Sequence, residues 1–227
     1  MRDHGIVAAR DDLKSALRDV VGPALRAEGF KGSGAAWYLR TPGGDCALVN
    51  VQRSQFGSAA DVRCVVNIAV APEPWLAWNA CWQGVELPKA PKDYDGLWRA
   101  RCQPSWSDSG GSETWWAIHD EATAQAAAHD IVFQVTAQAV PVLRRLLDRR
   151  EMIATVRAGD LGFITAQSSP EYFARALAVL LADQGQSRDL DALLDHFGTT
   201  KDADIKKYNL RFIPWLNHRA TSRSGPS

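Results

Sequence analysis

Val49-Asn50-Val51-Gln52-Arg53-Ser54 and Arg63-Cys64-Val65-Val66-Asn67-Ile68-Ala69-Val70 decide the fold class of this 227-residue chain. In both stretches alternate positions differ in character, the period of a strand whose successive side chains point to opposite faces. Phe56-Gly57-Ser58-Ala59-Ala60-Asp61 reads as the joining loop. A connection this short cannot make a parallel crossover, so strands over 47–55 and 62–70 are expected to pair antiparallel.

On the N-terminal side, Leu13, Leu17, Val20, Val21 and Leu25 fall at helical spacing. They predict a helix over 12–28, capped by Asp11 or Asp12, stopped by Gly29, and kinked or split at Gly22-Pro23. A strand over 37–40 and a turn at Thr41-Pro42-Gly43-Gly44-Asp45 follow. On the C-terminal side come a short helix over 72–82, a loop over 83–95, strands over 97–102 and 113–118, and a Ser- and Gly-rich loop over 105–112 between them. From Glu121 the chain turns helical: 122–150 with a break at Pro141, an ambiguous 152–156, then 170–184, 189–197 and 202–217. Ser169-Pro170, Thr200 and Asp202 signal helix starts, and Gly185 and Gly198 signal stops. The expected class is α+β: an antiparallel sheet of about five strands packed on helices over 10–150, a helical extension over 151–219, and a disordered tail over 220–227.

Composition narrows the function classes. Hydrophobic residues make up 46% and charged residues 23%, values of a globular protein. Residues 1–110 carry 13 basic and 12 acidic side chains and residues 111–227 carry 13 and 14, so neither half offers the cationic surface that non-specific nucleic-acid binding needs. No apolar run approaches the ~18 residues of a membrane span, and the N-terminus lacks an apolar signal segment. A cytoplasmic protein is expected. Cys46, Cys64, Cys81 and Cys102 share no short spacing, so a zinc site is not expected, and they are expected to be reduced and buried, Cys64 on the apolar face of its strand.

Strand parity picks out a surface. Val49 and Val51 point one way, with Cys64, Val66, Ile68 and Val70. Asn50, Gln52, Arg63, Asn67, Arg99 and Arg101 share the opposite face; Arg53 breaks the pattern and is placed at a strand end or bulge. An antiparallel sheet often leaves one face to solvent. Amides beside arginines also suit recognition of an anion, a peptide edge or a base, because the guanidinium is a planar fork of donors. Nine tryptophans accompany this face. Trp75, Trp78 and Trp82 lie on one side of a helix, for packing or for a partner. Trp98, Trp115 and Trp116 are candidate aromatic contacts, and Trp115 and Trp116 should point to opposite faces.

Catalytic patterns are missing from the sequence. No two of His4, His119, His129, His196 and His218 stand four apart, no HExxH occurs, and Gly32-Ser33-Gly34 is no nucleophile elbow. Phosphate-loop and dinucleotide patterns do not occur. Asp45 beside the Gln52-Arg53 strand superficially suggests a magnesium nuclease core, but a second acid and a lysine are lacking. The run Arg144-Arg145-Leu146-Leu147-Asp148-Arg149-Arg150-Glu151 reads as a solvated helix end. No catalytic residue, metal ligand or cofactor is assigned.

Gly29-Phe30-Lys31, Trp37-Tyr38, Val51-Gln52-Arg53-Ser54, Val66-Asn67-Ile68, Trp98-Arg99-Ala100-Arg101 and Trp115-Trp116, in this order, resemble an uncharacterised, mostly bacterial family, domain of unknown function 4304. The resemblance covers roughly residues 10–150. It implies an α+β fold with an antiparallel sheet and no particular activity. The expected role is a non-catalytic binding or interaction module, of an accessory or immunity type, presenting the polar sheet face to a protein or small-molecule partner. An enzyme acting on a phosphate-bearing or nucleic-acid substrate and a structural oligomerisation module are the alternatives.

Overall fold

A computed structural model describes residues 4–55, 62–107 and 115–223. The expected loop over 56–61, most of that over 105–112, the first two residues of the strand over 113–118, and tail residues 224–227 lie outside the described residues. The chain forms two compact units, Met1–Ala71 with Ala90–Leu147 and Pro72–Lys89 with Asp148–Ser227. The helix expected over 72–82 therefore groups with the C-terminal helices and not with the sheet.

The first unit is an open antiparallel sheet with helices on one face, an α+β architecture. β1 (Lys31–Ser33), β2 (Ala36–Arg40), β3 (Cys46–Arg53) and β4 (Val62–Ala71) run as a meander. β5 (Trp98–Cys102) pairs with β4 along Val66–Val70, and β6 (Trp116–Ile118) pairs with it along Val62–Cys64. β1 was missed by the sequence reading because Lys-Gly-Ser carries no apolar alternation and all three residues are exposed. Arg53 is the last residue of β3, as its parity requires.

The helical face is built from α1 (His4–Ala16), α2 (Gly22–Ala27), α4 (Glu121–Phe133) and α5 (Val140–Leu146). Leu13, Leu17, Val21 and Leu25 recur every four residues and are all buried. The proline at residue 23 does not split this helix. Leu17–Val21 forms a π-helical turn in which Gly22 N–H donates to Leu17 O, five residues back. The wider turn lets Pro23, which has no N–H, enter at the start of α2. The same device precedes Pro141: Gln134–Ala139 is π-helical and Val140 N–H donates to Val135 O. α1 packs on α4, where Ala9 and Ala16 on one helix and Ala124, Ala127 and Ala128 on the other are buried. Gly29 ends α2 at φ 84°, with Phe30 N–H bonded to Leu25 O at 3.0 Å and the Phe30 ring buried. That is a Schellman stop with its apolar lock, so Gly29-Phe30 reads as a helix terminator.

The second unit contains α3 (Glu73–Gln83), α6 (Arg149–Arg157), α7 (Pro170–Ala182), α8 (Arg188–Gly198) and α9 (Ala203–Arg223). Trp78 is its centre: the ring is 1% exposed and lies 4.7 to 6.0 Å, centroid to centroid, from Trp82, Tyr208, Phe212 and Trp215. Trp78 Nε1 donates to Tyr208 Oη at 2.5 Å, which satisfies the buried indole. Asp183 accepts from Arg149 at 3.1 Å, Arg219 at 2.7 Å and Arg223 at 3.0 Å, and Arg219 also bonds Glu73. These ties carry α9 to Arg223, past the expected end at 217, so Thr221–Arg223 are helical and not part of a disordered tail.

Candidate functional site

The register gathers the six polar side chains on one sheet face. Asn50 is opposite Asn67, Asn67 opposite Arg101, and Gln52 opposite Val65. Arg99 is opposite Ala69, and Arg63 is opposite Ala117. Directly opposed residues in an antiparallel pair share a face.

This face divides into two parts. At one end the segment after Ala90 folds back over β3 and β4. Asp93, in a 3-10 turn over Asp93–Asp95, is 8% exposed and accepts from Asn50 Nδ2 at 2.9 Å. Gly96 makes that approach feasible, since a Cβ there would stand 2.6 Å from the Ala69 side chain. Leu48 and Ala69 are consequently buried, and Asn50 is closed off by a carboxylate that strand parity could not have revealed. The signal for Asp93 was a turn acid in a Pro- and Lys-containing loop, which reads locally as surface.

At the other end a hydrogen-bonded row crosses three strands. Arg101 Nε donates to Asn67 Oδ1 at 2.8 Å, and Asn67 Nδ2 donates to Gln52 Oε1 at 2.7 Å. Asn67 is 5% exposed, Arg101 half-buried and Gln52 exposed. A purely solvated sheet face is thus not what the middle strand presents, because Val65, Asn67 and Ala69 are all buried. Arg63, Arg99 and Arg101 each hold further interactions.

The aromatic candidates separate. Trp116 is 0% exposed on the helix-covered face, and its Nε1 donates to Asp130 Oδ2 at 2.9 Å, so it is a core residue. Trp98 lies in β5 on that same covered face, half-buried. Trp115 is half-buried immediately before β6. Trp75, Trp78 and Trp82 serve the second unit, with Trp75 stacked edge-on against Tyr172 at 5.3 Å.

Among the described residues no three of His, Cys, Asp and Glu come together in a way that could hold a metal ion. Asp45 is 7% exposed in its turn, where its N–H bonds Thr41 Oγ1 at 3.1 Å. Burial pushes the Cys64 and Cys102 thiols up to about 12. Cys46 rises to about 11 through burial, partly offset by Arg40. These are inert core thiols. His196 meets Glu171 at 3.2 Å at the surface of the second unit. A groove of about 440 Å³ in that unit is lined by Phe197, Lys206, Asn209, Leu210, Ile213 and Pro214. No helix among the described residues is long and apolar enough to cross a membrane.

No curated protein and no solved structure matches the chain. The β-meander, the Gly29-Phe30 stop, the Gln52–Asn67–Arg101 row and the β5 and β6 strands all fall inside a single matched span. Residues 21–145 match the model of the family described as domain of unknown function DUF4304, and the chain belongs to that family.

Proposed function

We propose that the first unit is a non-catalytic binding module, a bacterial cytoplasmic accessory or immunity-type protein, whose ligand or partner docks on the Gln52–Asn67–Arg101 end of the sheet. One observation carries the reading: a nearly buried amide, Asn67, is spent on holding two flanking polar side chains in place. Burying an amide costs about 1–3 kcal/mol and its hydrogen bonds return about as much, so the row is a poor source of stability compared with a valine. It is a good means of fixing a guanidinium and an amide in one geometry before a ligand arrives, which lowers the ordering cost of binding. The rest of β4 is Val, Cys, Ile and Ala, so an apolar residue at 67 would suit the strand.

The test is a ligand-observed NMR screen of a mixed library of anionic, cationic and neutral small molecules and short peptides. It is run against wild type and Gln52→Ala/Arg101→Ala. The proposal expects hits whose signals vanish in the double variant while its far-ultraviolet circular dichroism is unchanged. Hits that bind both proteins equally would count against it.

A further inference from the structure

We propose that the groove beside α8 and α9 in the second unit binds a neutral, largely apolar small molecule that carries one N–H or O–H donor. This site is separate from the sheet face and lies outside the span that matches the family model. Phe197, Leu210, Ile213 and Pro214 form its apolar walls, and Asn209 lines it with them. Asn209 carries the inference. It is 4% exposed, and its Nδ2 donates to Phe197 O at 2.8 Å. That carbonyl belongs to the last turn of α8, where helix carbonyls lack a partner further along, so the NH₂ half of the amide has a structural task. The oxygen half has none: no described residue donates to Oδ1, which is shielded from solvent. Turning the amide over would set its oxygen against Phe197 O, two acceptors face to face, so the orientation is fixed and Oδ1 stays unused. Buried polar atoms are rarely left in this state, and one that lines a groove points to a donor supplied from outside.

The rest of the groove agrees on the ligand. Its volume of about 440 Å³ is well above the ~150 Å³ that suffices for benzene. Pro214, inside α9, has no N–H to give the Leu210 carbonyl four residues back, which adds a backbone acceptor on the same stretch of helix. Lys206 is the charged residue of the lining and is exposed at its rim, so a cationic ligand is repelled. A ligand that only accepts leaves Oδ1 unpaired. Leu210 is 77% exposed and lightly held; it is the part of the wall that gives way as the ligand's donor closes on Oδ1. Gly198, the last residue of α8, also lines the groove. Its φ is outside the left-handed region and a Cβ there would meet nothing within 4 Å, so neither backbone nor packing demands a glycine. Its missing side chain leaves the groove open.

The test follows the Asn209 side-chain NH₂ and the Leu210 and Ile213 methyl signals of the full chain by NMR. Two pairs of probes of similar shape are added singly: indole with benzofuran, and 2-naphthol with 2-methoxynaphthalene. The first of each pair has the donor and the second lacks it. Indole, 2-naphthol or both should shift these signals saturably, and the counterpart without the donor should bind about tenfold or more weakly. Gly198→Leu adds bulk to the groove wall and replaces a poor helix former. It should keep or raise the thermal midpoint while weakening the donor probes by about tenfold or more. Equal affinity for the two members of each pair would overturn the donor-bearing class. Unchanged affinity in Gly198→Leu would overturn the placement of the ligand in this groove. No response of the three residues to either donor probe would overturn the proposal as a whole.

Discussion

Asn67 shows how little of a site is decided by where a residue points and how much by what it touches. Strand parity placed it with Asn50, Gln52, Arg63, Arg99 and Arg101, and the register agrees. Parity could not show that Asn50 is bonded to Asp93 from a segment 43 residues on, or which way each amide faces, since both depend on partners distant in sequence. Cys64 was legible, because an alternating strand assigns a small apolar side chain to the core, but Cys81, expected to be buried like the other three, is exposed on α3. At pH 8, iodoacetamide followed by mass spectrometry should label exposed Cys81 and spare Cys46, Cys64 and Cys102 in the folded chain. The buried thiols also carry a pH signature. Their folded values of about 11 to 12 lie above the ordinary 9.0 because burial disfavours the thiolate. The folded chain then holds protons that the unfolded chain releases. That stabilisation is complete below pH 9 and is lost as the pH rises from there towards 11–12. Urea midpoints should fall between pH 8 and pH 10.5, and fall less in Cys64→Ala/Cys102→Ala.

The elements of the first unit were legible wherever a period repeats. Leu13, Leu17 and Leu25 announced the first helix, and Val49 with Val51 and Cys64 to Val70 announced the hairpin. The π-helical turns before Pro23 and Pro141 were not legible as such. The sequence shows only that proline cannot continue a regular helix; packing of the flanking turns decides whether the chain breaks or widens. β1 was illegible because an edge strand of Lys-Gly-Ser is set by hairpin pairing with β2, not by burial. Gly29 is the terminator on which β1 depends. At φ 84° an alanine is strained, although space for its Cβ is adequate, the nearest atom being 3.6 Å away. Gly29→Ala should cost about 1 kcal/mol, read as a lowered urea midpoint with an unchanged slope.

At the scale of the whole chain, the two compact units differ from a linear division near residue 150, because each is built from two separate segments. The chain passes between units after Ala71, Lys89 and Leu147. A Trp-rich helix between strands looks like a cover for the sheet; only the aromatic partners on α9 reveal its place. A fragment of residues 151–227 lacks Trp78, the centre of its own core. It should give no cooperative thermal transition by circular dichroism, and a sharp transition would contradict this placement of α3. Asp183, whose side chain is 15% exposed, gathers Arg149, Arg219 and Arg223. Asp183→Ala leaves clustered guanidiniums without their shared acceptor. It should destabilise the second unit by about 3 kcal/mol, measured by urea denaturation.

The Gln52–Asn67–Arg101 row is held to exist for recognition and not for stability, and urea denaturation of Asn67→Val tests this without knowing the ligand. Valine suits β4, and the groups released, Gln52 Oε1 and Arg101 Nε, belong to an exposed and a half-buried side chain that water can reach. The stability of Asn67→Val should lie within about 1 kcal/mol of wild type, or above it. A loss of about 3 kcal/mol or more would show that the row is structural and would contradict the account.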